Sequence, residues 1–324
     1  MRSLYPLTFR LENMTQAYLW GGQKLRAFGK PHASGQPLAE VWEVSDRPED
    51  DRVSIVASGP LAGKNLHELM EEYGEALLGK VAPVNGKFPL LIKLLDAEAR
   101  LSLQVHPPEE STADGASEPK TECWLMLDGT NSNAHILAGL KKNVTQSQFE
   151  TALKQGTLEP LLHHLAVKPG DCMFLPSGRL HVIDAGCLLL EVQQNSNTTY
   201  RVFDWNRLDP RTHKPRELHV RQALRSIDFS DTEPQLQAPL KNENQEILVD
   251  CPYFTLERWR LEGERQHHPR DSFEILMSLT QKIKLKSKSG VLELAPLSFV
   301  LIPASLPRYS LQAPAAAYVR IFIS

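Results

Sequence analysis

Between Leu101 and His106 the chain reads Leu-Ser-Leu-Gln-Val-His. Extended, that segment sends Leu101, Leu103 and Val105 to one face and Ser102, Gln104 and His106 to the other. A hydroxyl, an amide and an imidazole in one row are unusual on a strand beside the apolar run Pro89–Leu95. Such a row suits a metal ion or a polar substrate held inside a β-structure. Possible partners lie downstream: Glu122, sharing a face with Lys120 in Lys-Thr-Glu-Cys-Trp, and His181, just after the turn Pro176-Ser177-Gly178-Arg179. Two imidazoles, a carboxylate and an amide oxygen match zinc or another borderline divalent ion, with positions left open for water or substrate. Taken alone the set is weak, since two of eleven histidines near a carboxylate would be unremarkable.

The elements that must position these residues are mostly short strands. Thr8–Leu11, Ala39–Ser45 and Arg52–Ser58 read as an extended N-terminal layer. The first helical pattern falls within 59–80, with Asn65 as N-cap and Leu66, Leu69, Met70, Tyr73, Leu77 and Leu78 at the helical period. Phe88–Leu95 and Arg100–His106 read as a hairpin around Asp96–Ala99. After a polar loop over 107–119, Glu122–Leu127 and His135–Ala138 are strands. Thr145-Gln-Ser-Gln148 is a capping-box signature that opens a helical insertion near 143–165. Strands resume at 166–205, and Arg216–Ile227 reads as a helix. A polar linker is placed at 229–246. From 247 to 324 come short alternating strands: Tyr253–Arg260, Phe273–Leu279, Lys282–Lys288, Ser298–Ile302 and Ala317–Ile323.

With 324 residues, 41% hydrophobic, 23% charged and a net charge of −3, the chain is an ordinary folded protein without the electrostatic footprint of a nucleic-acid binder. No apolar run approaches the ~20 residues that span a bilayer. The N-terminus lacks the apolar core of a signal peptide. Four cysteines with no CxxC pair point to free thiols in a reducing cytoplasm.

Longer motifs are more specific. Val167–Ile183 carries the Pro-Gly-Asp and Pro-x-Gly-x-x-His words of cupin barrels. Gln-Val-His-Pro, Lys-Thr-Glu-Cys-Trp, Pro-Ser-Gly-Arg-Leu-His and Gln-Gln-Asn-Ser-Asn-Thr-Thr-Tyr-Arg follow in the order seen in type I mannose phosphate isomerases. Trp20-Gly21-Gly22 and Glu40-Val41-Trp42-Glu43-Val44-Ser45 extend the likeness, so the chain resembles the short bacterial branch of that family. The resemblance is strong over 1–210 and general beyond. It implies a mainly β protein of two cupin-type, jelly-roll-like barrels. A catalytic barrel would occupy 1–228, the linker 229–246, and a metal-free barrel 247–324.

The resemblance further implies one zinc ion per chain held by Gln104, His106, Glu122 and His181. Arg201 matches the family's active-site arginine and Glu191 its upstream acid. Ser102, Lys93 and Lys120 match positions lining the sugar phosphate pocket. The implied reaction interconverts mannose 6-phosphate and fructose 6-phosphate by proton transfer through a cis-enediol. It requires a base in the substrate plane and cationic support for the developing enediolate. The lysines and Ser102 can anchor the phosphate, and Arg201 offers a permanent charge. Glu191, between Leu190 and Val192, points away from both and needs a partner. Trp20 and Trp42 are expected to pack. Two alternatives are a related metal-dependent cupin enzyme acting on another small molecule and a non-catalytic sugar-phosphate sensor. A monomer or weak oligomer is expected, with no nucleic-acid or membrane partner. Two departures stand out: Pro108 follows Gln-Val-His-Pro, and Asn197 replaces the usual aspartate near Arg201.

Overall fold

The computed structural model describes residues 4–31, 36–112, 117–209, 213–269 and 271–324, so part of the expected 107–119 loop lies outside it. The molecule is mainly β, and three sheets carry it. The first has six strands in the order Cys172–Leu175, Glu122–Met126, Cys187–Gln194, Leu90–Ala97, Glu40–Val44 and Thr15–Gln16. The second has five: Leu162–Ala166, His135–Leu140, His181–Ile183, Leu103–Val105 and Tyr200–Phe203. These two face each other across a core of Trp20, Leu95, Leu101, Trp124, Ile136, Ile183 and Leu189. The cupin-type β architecture is present as facing open sheets, without closure into a ring of strands among the described residues.

The expected hairpin between Phe88–Leu95 and Arg100–His106 does not form. Leu90–Ala97 pairs with Cys187–Gln194 and Glu40–Val44, while Leu103–Val105 crosses to the other sheet and pairs with His181 and Tyr200–Phe203. Alternation specifies a strand but not its partner. The apolar run before residue 96, broken only by Lys93, has a physical reason. Its sheet is buried on both faces, one against the sandwich core and the other against helix α1 (Leu66–Leu78) and the third sheet.

Helix α1 starts where expected. Asn65 accepts from the Glu68 backbone N–H, and Glu68 returns the bond to the Asn65 N–H. Thr145 and Gln148 cap helix α2 (Gln146–Gln155) in the same way. Within the expected insertion, 162–166 is a strand rather than helix. Helix α3, expected from Arg216, is confined to Val220–Ser226. The polar stretch 229–246 is anchored: Arg179 holds Asp231, Leu140 bridges to Thr232, and Leu240–Lys241 and Gln245–Asp250 are already strands of the third sheet.

In that third sheet Thr255–His267 runs against Tyr309–Phe322, flanked by Gln245–Asp250 and by Glu274–Ser278 with Phe299–Ile302. A side hairpin of Ile283–Ser287 and Gly290–Leu294 completes it. No helix among the described residues is long and apolar enough to cross a membrane.

His267, 7% exposed, gives this half an acid-sensitive joint. Its Nε2 lies 2.9 Å from the Tyr318 hydroxyl, and the ring stacks on Tyr309 and meets Trp259 edge-on. Burial, then the charges of Arg320, Arg265 and His268, push its pKa down to about 3. The unfolded chain takes up that proton near pH 6.5, so stability present above that pH is lost as pH falls toward 3. Relative to His267→Gln, the wild type should lose about 2 kcal/mol between pH 7 and pH 5 in denaturant titrations. Parallel pH profiles for the two proteins would show that the imidazole is not the group involved.

Candidate metal centre and cavity

Each candidate ligand is delivered by a different strand or strand end. His106 follows Leu103–Val105, His181 opens the adjoining strand, and Glu122 opens a strand of the facing sheet. His106 Nδ1 donates to the Thr198 carbonyl at 2.9 Å, and His181 Nδ1 donates to the Arg179 carbonyl at 2.9 Å. Those bonds fix the tautomers and leave both Nε2 lone pairs facing inward, the arrangement that metal-binding histidines need. His106 Nε2 lies 3.5 Å from Glu122 Oε2, and His181 Nε2 lies 3.8 Å from Glu122 Oε1.

Those spacings are too long for good hydrogen bonds. His106 Nε2 is accordingly buried without a hydrogen-bond partner, while Glu122 Oε2 has the Lys120 ammonium at 3.0 Å as its ion-pair partner. A buried ring nitrogen turned toward a carboxylate it does not bond is costly unless something occupies the space between them. Among the described residues, His106, Glu122 and His181 form the set whose ligand atoms all lie within 4.8 Å of one another. The donor set fits a borderline divalent ion. Burial and the Lys120 ammonium push the His106 imidazole down to about 3, and burial lowers His181 too, so both rings are neutral donors. Glu122 is held well below the usual carboxylate range: burial raises it, but Lys120 and the two histidines outweigh that.

Around this triad opens a cavity of about 300 Å³. All nine residues singled out from the sequence line it: Lys93, Ser102, Gln104, His106, Lys120, Glu122, His181, Glu191 and Arg201. Gln104 sits between His181 and Arg201 in register across three strands, and its amide nitrogen donates to Ser102 Oγ at 3.1 Å. That leaves the amide oxygen as its available acceptor.

Glu191 finds the partners its position demanded. Lys93 lies across the ladder with Nζ 3.2 Å from Glu191 Oε1, and Trp124 Nε1 donates to Oε2 at 3.2 Å. Burial and the neighbouring Glu122 still raise the Glu191 carboxyl. Burial pulls the Lys93 ammonium down, but Glu191, Glu40 and Glu122 more than reverse it. Lys120 is likewise paired, 3.0 Å from Glu122. Both lysines therefore spend much of their charge on carboxylates, which the sequence could not show. Arg201 differs: Nη1 donates to the Glu217 carbonyl at 2.8 Å, while Nε is buried without a partner.

Sequence reasoning missed Tyr18, Glu40, Trp124 and Arg216 as cavity residues. Glu40 and Trp124 sit inside quoted motifs, and strand parity places Trp124 on the Glu122 face. Trp20, expected only to pack, does so and also lines the cavity, while Trp42 lies under the Lys93 ammonium at 4.8 Å. Asn197 also lines the cavity and donates to Asp50 at 2.9 Å. An aspartate there would set two carboxylates against each other, so the local charge accounts for the asparagine.

Fold and site together define a cupin-type enzyme whose polar, charge-paired cavity holds a His/Glu/His triad able to take a metal ion. The family model for the type I phosphomannose isomerase catalytic domain matches residues 8–122. Mannose-6-phosphate isomerase ManA of Bacillus subtilis is 32% identical over 93% of this chain and 94% of its own length. A mannose-6-phosphate isomerase of Streptococcus mutans is 33% identical over 78% of each chain. The crystal structure of the mannose 6-phosphate isomerase from Bacillus subtilis superposes with a TM-score of 0.87 at 30% identity, covering 99% of this chain and 100% of that one. The chain belongs to the type I mannose-6-phosphate isomerase family.

Proposed function

We propose that this protein interconverts mannose 6-phosphate and fructose 6-phosphate, with zinc held by His106, Glu122, His181 and Gln104 in the 1–228 half. The observation that carries the reading is the inward-facing His106 Nε2, buried without a hydrogen-bond partner beside Glu122 and His181, in one cavity with Glu191 and Arg201. Zinc bound there supplies a Lewis acid that orients and polarises the sugar oxygens.

The remaining chemistry belongs to the chain. Aldose–ketose isomerisation removes the proton from C2 and returns it to C1 through a cis-enediol. Glu191 is our assignment for the proton carrier: burial raises its carboxyl, and Trp124 and Lys93 fix its plane. Arg201 offers a guanidinium with an uncommitted Nε as negative charge develops on the sugar oxygens. Ser102, Lys93 and Lys120 contact the substrate from the buried wall, with Lys120 also holding Glu122 in place. Cytoplasmic residence is part of the proposal, supported by four unpaired thiols. Family membership favours catalysis over a sensor role.

A coupled isomerase assay on native, chelator-stripped and zinc-restored protein tests the proposal. Stripping should lower turnover by on the order of a thousandfold, and zinc should restore it. Full activity after verified metal removal would exclude the zinc assignment, and folded, zinc-loaded protein without turnover would exclude the substrate.

A further inference from the structure

The distribution of charge along the cavity is uneven, and it bears on where the substrate's phosphate goes. At the buried end stand two ammonium groups and three carboxylates: Lys93 with Glu191 at 3.2 Å and Glu40 at 3.9 Å, and Lys120 with Glu122 at 3.0 Å and Glu191 at 4.0 Å. These side chains are nearly inaccessible, and without a metal their sum is negative. A dianion placed there meets committed lysines and facing carboxylates. The outer end is the reverse. Arg201 and Arg216 both line the cavity, and Arg216 is about one-third exposed. Arg216 is gripped by one carboxylate, Nε to Asp204 Oδ2 at 2.8 Å and Nη2 to Oδ1 at 2.6 Å. That same Asp204 oxygen also takes Arg207 Nη2 at 2.5 Å. Two guanidiniums, Arg216 and Arg207, thus share one buried carboxylate, while Arg201 donates to the carbonyl of Glu217, whose side chain is not part of the cavity lining. The fork to Asp204 uses Arg216 Nε and Nη2 and fixes the guanidinium plane, so an anion would be met from the Nη1 side.

Spacing agrees with charge. His181, Gln104 and Arg201 lie in register on three neighbouring strands, so His181 and Arg201 are two strand spacings apart, roughly 10 Å. An open-chain hexose phosphate can lie along that line, its carbonyl end at the histidines and its phosphate at the arginines. We propose that Arg216, oriented by Asp204 and acting with Arg201, is the specificity-determining residue that receives the substrate's phosphate. This deepens the isomerase reading and rests on it for the identity of the sugar. Burial and then the Arg216 charge lower the Arg201 guanidinium's pKa, against the opposing pull of Asp204 and Glu217.

The test measures inorganic phosphate binding by calorimetry, with and without zinc, and KM and kcat for mannose 6-phosphate. Arg216→Gln should weaken phosphate binding and raise KM about 10- to 100-fold while kcat stays within about threefold. Arg207→Gln removes the second guanidinium from Asp204, and Arg207 is not itself a cavity-lining residue, so it should leave both near wild type. Rescue of KM by Arg216→Lys should be partial, since a point charge replaces the fork. Unchanged phosphate binding in Arg216→Gln, an equal loss in Arg207→Gln, or no phosphate binding by the wild type overturns the assignment. The two readings separate cleanly. Phosphate binding that depends on Arg216 without turnover removes the isomerase and keeps the clamp, whereas turnover insensitive to Arg216 does the opposite.

Discussion

His106→Ala is expected to abolish stoichiometric zinc binding and to lower kcat/KM for mannose 6-phosphate by on the order of a thousandfold or more. The imidazole is 2% exposed, oriented by the Thr198 carbonyl, and aimed at Glu122 from 3.5 Å. Alanine removes a ligand without adding a competing group, and it leaves Glu122 facing only His181 and Lys120. Metal content per chain, measured beside the coupled assay, distinguishes a lost ligand from a misfolded protein. Zinc retained at one per chain, with activity within tenfold of wild type, would refute the ligand assignment. Glu122→Gln should match the metal loss, because an amide cannot replace the only carboxylate in the set.

Arg320→Met is expected to destabilise the fold by about 3–5 kcal/mol, a large share of the ~5–15 kcal/mol that folded proteins have. Arg320, Glu257 and Glu274 form a buried cluster in the C-terminal half, with side chains 4%, 2% and 1% exposed. Arg320 binds Glu274 closely and lies 3.4 Å from Glu257, which also takes Trp259 Nε1 and Gln245 Nε2 at 2.7 Å each. The Tyr309 hydroxyl closes the other side on Glu274, and its pKa is driven well up by burial and that carboxylate. Methionine would keep the volume and leave two carboxylates with no buried cation between them. The midpoint of chemical denaturation should fall at unchanged slope, and adding Glu274→Gln to Arg320→Met should recover part of the loss. A change below 1 kcal/mol would show that the cluster is solvated or rearranges.

Much of the site was legible because its chemistry is local. Ser102, Gln104 and His106 share a face by parity, Lys120 and Glu122 likewise, and the Pro-x-Gly-x-x-His turn marks His181. Capping residues carried equal information: Asn65 with Glu68 and Thr145 with Gln148 each start a helix within one turn of chain. What could not be read was pairing across distance. Lys93 looks like a candidate phosphate ligand until Glu191, nearly a hundred residues later, appears opposite it. The expected hairpin failed for the same reason, since neither strand's alternation names its neighbour. Arg216 escaped notice because its role depends on Asp204 and on a cavity wall assembled from both sheets.

Near the start of the chain, Leu7 forms a two-way backbone bridge with Leu301. The core around it joins Leu7, Leu69 and Phe88 to Phe254, Phe273 and Ile321. During synthesis the partner of residue 7 is 294 residues away, a wait of roughly 15–60 s at ordinary elongation rates. Throughout that interval the outer face of the six-stranded sheet and helix α1 must stand without their cover. The N-terminal half is therefore made with an apolar flank open to water, and that flank stays open until Phe299–Ile302 and Tyr309–Phe322 have been made and packed against it.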